Sequence, residues 1–345
     1  MKYRLYTTSQ KAWDGMFKAM SQAQKSIYLE MYIFLDDTQA THNFLGLLKD
    51  KARAGVEVVI IADSYGSASL RGPAANDLKA AGVELIFFSH WLRRTHRKIL
   101  IIDNKVAFIG GVNIKEKIRH WHDLQIRMSG KIIMPMLKSF AYAYEIMGGK
   151  KESILEYSRL PLVKKIKSWI TDSIVGTSKL YNLNNYYKER IGAAKVSIKI
   201  VTPYLLPPRW LLAILDDACR RGVNVEIIIP NDTDIKPLNK INYLNACRMS
   251  AYGVKFYLMP SMNHAKIMLI DEEEGLIGSQ NMDILSFNLN MEAGVFFRQK
   301  KLVNDLNNIF THWRNESIFF TASGKKIKFF DRILIAIFKL FYPIF

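Results

Sequence analysis

Five residues of this chain recur at one constant separation. His96, Lys98, Asp103, Gly110 and Asn113 are matched by His264, Lys266, Asp271, Gly278 and Asn281, each 168 positions later (264 minus 96). One His-x-Lys-x4-Asp triplet arises too easily by chance to carry an argument. Two copies with the same trailing Gly and Asn make the chain an internal duplication. The flanks agree: AQKSIYLEMYIF (23–34) resembles AAKVSIKIVTPYLL (193–206), KARAGVEVVIIAD (51–63) matches CRRGVNVEIIIP (219–230), and AAGVELIFF (80–88) parallels AYGVKFYLM (251–259). Each half therefore reads strand, helix, strand, helix, strand, with Gly55 and Gly222 each ending a helix.

Near-continuous apolar strands between amphipathic helices predict an α/β fold of two tandem α/β/α sandwich halves with mainly parallel or mixed sheets. The 345 residues suit two units of roughly 150. We expect the halves at 1–150 and 151–325, with a tail at 326–345. The boundary falls near Gly148-Gly149-Lys150-Lys151, where the helical stretch MLKSFAYAYEIM ends, and an alternating strand begins near SWITDSIV (168–175). Duplication alone says nothing about chemistry.

A formal net charge of +18 points to anionic partners: acidic lipid, nucleic acid or a phosphorylated substrate. The two cysteines, Cys219 and Cys247, lack the spacing of a zinc site or a disulfide scaffold. A reducing, cytoplasmic-side location fits. The N-terminus shows no apolar core of signal-peptide or membrane-span length. In the tail KKIKFFDRILIAIFKLFYPIF, Asp331, Arg332 and Lys339 interrupt the apolar run. On a helix, Lys328, Arg332 and Lys339 share one face, while Phe329, Ile333, Ile337 and Leu340 share another. That pattern suits a helix lying on an anionic membrane surface; the alternative is a helix docked on the protein's own core.

The candidate catalytic set is His96, Lys98 and Asp103 with His264, Lys266 and Asp271. On a strand, His and Lys two apart project from one face and reach the same ligand. The four residues before each aspartate, ILII and IMLI, are apolar, so Asp103 and Asp271 stand at the far strand ends, where a turn or salt-bridge role suits them better than catalysis. His42, His90, His120 and His312 lack the duplicated context and read as structural. A neutral imidazole attacks phosphorus when ammonium groups offset the phosphate charge. A second, protonated imidazole then protonates the leaving oxygen. Each ring needs an acceptor on its other nitrogen. Asp123, in RHWHDLQIR, and Glu292, in NLNMEAGVFF, lie 27 and 28 positions (123 minus 96, 292 minus 264) after the histidines and are the candidate orienting carboxylates.

These residues resemble the phospholipase D superfamily, and in detail its bacterial cardiolipin synthase branch. The likeness covers nearly the whole chain: YIFLDD, HRKILIIDNKVAFIGGVNI and WHD in the first half; TPYLLPP, HAKIMLIDEEEGLIGSQNMD and SFNLNMEAG in the second. It implies halves packed about a pseudo-two-fold axis with both His-Lys pairs at one metal-independent site that needs no cofactor. His96 would be the nucleophile and His264 the general acid/base, an order that the residues themselves leave open. Lys98, Lys266, Asn113, Ser279 and Asn281 would hold phosphate oxygens. The implied reaction transfers a phosphatidyl group between phosphatidylglycerol molecules, giving cardiolipin and glycerol, with the chain peripheral on the cytoplasmic side of the cell membrane. Departures are the lack of the two leading membrane spans common in the family, Leu285 at a position usually basic, and a short segment after Arg127. A phosphodiesterase hydrolysing phospholipid or nucleic acid is the alternative. No aromatic platform for stacking bases is evident, which counts against nucleic acid. A lipid-binding scaffold with a retired site is countered by the survival of both His-Lys pairs.

Overall fold

The computed structural model describes residues 1–161, 168–172, 181–322 and 338. The first sheet is built from β1 (Lys2–Thr8), β2 (Ser26–Met31), β3 (Glu57–Asp63), β4 (Glu84–Phe88), β5 (Ile99–Ile102), β6 (Val106–Gly110) and β7 (His122–Ser129), in the order β1-β7-β6-β5-β2-β3-β4. The second half contributes β8 (Ser168–Asp172), β9 (Tyr181–Asn182), β10 (Ser197–Val201), β11 (Leu205–Leu206), β12 (Asn224–Pro230), β13 (Lys255–Met259), β14 (Ile267–Ile270), β15 (Glu274–Gly278), β16 (Met282–Asp283), β17 (Ala293–Phe297) and β18 (Ile318–Phe319). Its main sheet runs β18-β13-β12-β10-β14-β15-β17-β8-β9, with β11 and β16 forming a separate short pair.

Both sheets are mixed, and for the same reason. The strand–helix–strand units β2–β3–β4 and β10–β12–β13 pair in parallel, because each crossover helix returns the chain to the same edge. The motif strands β5 and β14 turn back through tight hairpins into β6 and β15, so this part of each sheet is antiparallel. At both hairpins two consecutive residues take left-handed backbone: Asp103 and Asn104 (φ 50° and 54°), and Asp271 and Glu272 (φ 53° and 56°). The β8 strand pairs with β17 over Ser168–Asp172, which agrees with a strand starting in SWITDSIV; the rest of that stretch lies outside the described residues.

Each sheet is covered on two faces. Helices Ser9–Ser21, Phe44–Arg53 and Pro73–Ala80 close one face of the first sheet around Trp13, Phe44, Ile60 and Phe108. Helices Leu183–Ala193, Arg209–Arg220 and Lys236–Ser250 close the corresponding face of the second around Tyr186, Leu215, Ile227 and Phe256. The remaining faces share one core. There Ile101, Ile109 and Ile126 of the first sheet and Ile267, Ile277 and Val295 of the second meet helices Ile133–Ile146 and Lys300–Asn315. One continuous apolar core thus joins the halves, and it sets the two motif strands at a common interface. The tail at 326–345 lies outside the described residues except for Phe338, which packs beside Tyr204, Leu206, Leu238 and Ile241.

Candidate active site

The motif histidines and lysines lie in extended chain just ahead of β5 and β14, not within the strands. Backbone hydrogen bonds tie these lead-in segments across the molecule. His96 N donates to Met291 O (2.9 Å) and Met291 N to Arg94 O (2.9 Å), while His264 N donates to His122 O (2.7 Å) and His122 N to Met262 O (3.2 Å). The segment bearing each histidine is therefore paired with the segment bearing the other half's carboxylate.

The side chains follow this exchange. His96 Nδ1 lies 3.0 and 3.1 Å from the two oxygens of Glu292, and His264 Nδ1 lies 2.9 Å from Asp123 Oδ2. Both expected carboxylates meet a histidine, but each serves the one from the opposite half. Spacing along the chain carries no signal for this crossing. Glu292 is fully buried and takes two further donors, the Ser279 hydroxyl and the Ser286 hydroxyl (2.7 Å). The pseudo-equivalent of Ser279 is Gly111, where a Cβ would sit 2.2 Å from Asp123 Oδ1. The two carboxylates are thus seated differently: one is held by hydroxyls, the other fills the space left by a missing side chain.

Lys98 and Lys266 are buried and curl back onto their own motif. Lys98 Nζ donates to His96 O (2.5 Å) and lies over the Tyr32 ring; Lys266 Nζ donates to His264 O (2.6 Å) and sits 2.8 Å from His264 Nε2. Burial dominates the titration of all four groups. It pushes His96 down to about 4 and lowers His264, and it lowers Lys98 to about 7 and Lys266 to about 8. Burial alone would raise Glu292, but His96, Lys98 and Ser279 hold it below the usual carboxylate range.

His96 and His264 line one cavity of about 300 Å³, together with Asn113 and Asn281. The Asn281 carboxamide oxygen is buried without a hydrogen-bond partner among the described residues, whereas Asn113 Oδ1 accepts from Ile33 N (3.2 Å). Ser279, expected to hold a phosphate oxygen, does not line this cavity; its hydroxyl is committed to Glu292. Asp103 and Asp271 are also away from it. Asp103 accepts the backbone N–H groups of Gln24, Lys25 and Ser26, and Asp271 those of Lys195, Val196 and Ser197. Burial pushes both upward, yet these three donors outweigh it and hold each carboxyl low. Their place in the motif is that of a strut between the hairpin and the first strand of the parallel unit, the turn role that suits them better than catalysis. His42, His90, His120 and His312 line no part of the cavity.

Sequence reading passed over the groups that surround the rings. Tyr32 packs edge-on to His96 (4.9 Å between centroids), and Trp121 and Tyr204 flank His264 (5.9 and 6.2 Å). Arg94, Lys115, Lys117, Asp234, Asp283 and Asn290 complete the polar lining. Among the described residues no cluster of side chains suits a metal ion, and no helix is long and apolar enough to cross a membrane.

A duplicated α/β fold whose paired His-Lys motifs converge on one cavity defines a phospholipase D-like protein. The comparisons specify the group. The family described as "Cardiolipin synthase, PLD-like domain" matches residues 16–139 and 187–314, and the chain belongs to it. A probable cardiolipin synthase of Bacillus subtilis is 29% identical over 332 residues, covering 91% of this chain and 66% of that protein. A cardiolipin synthase of Clostridium perfringens is 33% identical over 330 residues, covering 89% of this chain and 69% of its own length. The chain thus spans about two thirds of these relatives. A phosphatidylserine synthase of Haemophilus influenzae superposes over 99% of this chain and 93% of its own with a TM-score of 0.76 at 13% identity, a likeness of fold.

Proposed function

We propose that this chain is a phosphatidyltransferase that moves a phosphatidyl group from one phosphatidylglycerol to another through a phosphohistidine, giving cardiolipin and glycerol. One observation carries the reading: two buried imidazoles, each anchored at Nδ1 by a carboxylate of the other half, line a single cavity. Anchoring at Nδ1 leaves Nε2 for chemistry and favours the tautomer with its lone pair there.

His96 is the nucleophile. Its Nε2 has no hydrogen-bond partner among the described residues, whereas His264 Nε2 faces the Lys266 ammonium. Burial keeps His96 neutral at physiological pH, as attack requires. As the N–P bond forms, the bond from phosphorus to the glycerol oxygen breaks, and His264, protonated beside the bound anion, gives that oxygen its proton. The acceptor hydroxyl then gives a proton to His264 as its oxygen attacks phosphorus and the N–P bond breaks. Lys98, Lys266 and the Asn281 carboxamide offset the charge on the phosphoryl oxygens. The family and its named relatives support a phospholipid substrate. The +18 charge supports a peripheral location on an anionic membrane, on its cytoplasmic face, with 326–345 contributing.

The test is incubation of the purified chain with acyl-labelled phosphatidylglycerol in mixed micelles, and separately with DNA. The reading expects cardiolipin and glycerol, a labelled protein band in wild type, and loss of that band in His96→Ala. Phosphatidic acid alone would make the chain a hydrolase, nucleotide fragments would move it to nucleic acid, and full activity in both His96→Ala and His264→Ala would sink the site.

A further inference from the structure

The duplication that pairs the motifs also pairs the residues just beyond them, and there the halves part company. One motif separation apart, Lys115 corresponds to Asp283 and Lys117 to Leu285, following Asn113 and Asn281. All four line the same cavity. Arg94, two residues before His96, also lines it, and its counterpart two residues before His264 is Met262. The first half therefore brings three cations to the wall, where the matching positions of the second bring one carboxylate, Asp283, and one apolar side chain, Leu285, with Met262 off the cavity. Asp234 adds a second carboxylate to that side, accepting the Tyr204 hydroxyl at 2.7 Å.

The two lysines are not spent on neighbours, and Arg94 is engaged only in part, its charge also acting on the Asp63 carboxyl. Among the described residues none of them forms an ion pair. The Arg94 guanidinium donates only to the carbonyls of His90, Trp91 and Arg93 and lies 4.6 Å from the Tyr65 ring centroid. Lys115 is half-buried and Lys117 exposed, so one amine stands at the wall and the other at the mouth. The carboxylate at Glu116, between them, is turned to Arg119 (2.8 Å) and Thr41 (2.9 Å). An unpaired cluster of cations beside a reacting phosphate costs self-repulsion unless a second anion joins it.

We infer that Arg94, Lys115 and Lys117 form the seat for the acceptor lipid's own phosphate and so set the selectivity of the transfer for that lipid over water or a neutral alcohol. The inference rests on the proposed phosphatidyl transfer and names the residues that select its acceptor. The donor phosphate lies between the imidazoles, and the acceptor's own phosphodiester lies against the basic wall with its free hydroxyl directed at the phosphohistidine. In the step itself the hydroxyl oxygen bonds to phosphorus, the N–P bond breaks and His264 takes the proton, so no further reagent enters. Asp234 and Asp283 repel an anion from the opposite wall, which fixes the acceptor's orientation and leaves that side to uncharged hydroxyls.

A competition assay reads this directly. Wild-type chain and the Lys115→Gln/Lys117→Gln and Arg94→Gln variants turn over labelled phosphatidylglycerol in neutral-detergent micelles with ethanol present, and the ratio of cardiolipin to phosphatidylethanol is measured. Both products arise from one pool of phosphoenzyme, so the ratio does not depend on how much protein is folded. The ratio should fall about tenfold or more in the double variant, the size of one or two lost charge-assisted contacts, and Lys115→Arg/Lys117→Arg should restore it. An unchanged ratio in the Gln variants, or one not restored by arginine, overturns the seat. If wild type forms neither product, the phosphatidyl transfer itself is wrong, and that failure is visible before any variant is made.

Discussion

Replacing Glu292 by glutamine tests whether the buried carboxylate drives chemistry at a histidine of the other half. The side chain keeps its shape, and of the Ser279 and Ser286 hydroxyls, which donate to separate carboxylate oxygens, one can still donate to the single amide oxygen. What disappears is a negative charge facing His96 Nδ1 at 3.0 Å. With charge centres about 4 Å apart and an effective dielectric of about 20, that charge is worth about 4 kcal/mol to an imidazolium. A phosphorylated imidazole carries this positive character, and the neutral ground-state ring does not. Each 1.4 kcal/mol is a factor of ten, so formation of the phosphoenzyme should slow about 10²- to 10³-fold with little change in KM. Rapid-quench measurement of labelled protein under single-turnover conditions gives the rate. Because the pairing crosses the halves, Glu292→Gln should slow the formation of the labelled intermediate through His96, and Asp123→Asn, facing His264, should slow both that step, through proton delivery to the leaving oxygen, and the discharge that follows. Phosphoenzyme formation within threefold of wild type in a folded Glu292→Gln protein would refute the reasoning.

Other outcomes follow from the same geometry. Asp103→Ala strips three backbone N–H groups of their acceptor and should cost about 2–4 kcal/mol in denaturant unfolding, while the folded fraction keeps its turnover; a loss of turnover without a loss of stability would return Asp103 to the catalytic group. Gly111→Ala places a Cβ against Asp123 Oδ1 and should lower kcat at least about tenfold by displacing the carboxylate from His264, with far-ultraviolet circular dichroism unchanged; normal kcat would show that Asp123 tolerates the move. His96 titrates near its ordinary value when unfolded and at about 4 when folded, so the unfolded chain binds more protons between these values and stability should drop as pH falls from about 6.5 towards 4. Thermal unfolding across that range checks it, with a shallower drop expected in His96→Asn; identical slopes would mean other groups dominate.

The elements that sequence reading recovered share a cause: their signals are local or periodic. The strand–helix–strand units come from apolar runs between glycine-ended helices, and the duplicated motif comes from residue identity at a fixed separation. The crossed carboxylates are of another kind. Asp123 and Glu292 could be nominated from their similar distance to each histidine, but which ring each serves depends on how the lead-in segments of two sheets stitch together. Ser279 shows the same limit. The family resemblance implies a phosphate ligand there, yet the backbone turns its hydroxyl towards Glu292. The antiparallel motif hairpins were not read from the sequence, which placed Asp103 and Asp271 only at strand ends suited to a turn; the left-handed backbone at Asp103-Asn104 and Asp271-Glu272 is what reverses the chain. The contrast of Lys115 and Lys117 with Asp283 and Leu285 is present in the sequence at the motif separation, but only a shared cavity gives it meaning.

The crossed hydrogen bonds between the histidine and carboxylate segments make the site a lock with two interdependent bolts. A hinge that parted the halves would strip both imidazoles of their partners at once, leaving neither ring oriented. Lipid must therefore arrive and depart through the open side of the cavity, whose apolar lining includes Leu92, Ile118, Ile235 and Leu285, while the scaffold behind it stays shut. Such a molecule admits headgroups through a standing opening rather than by parting its two lobes.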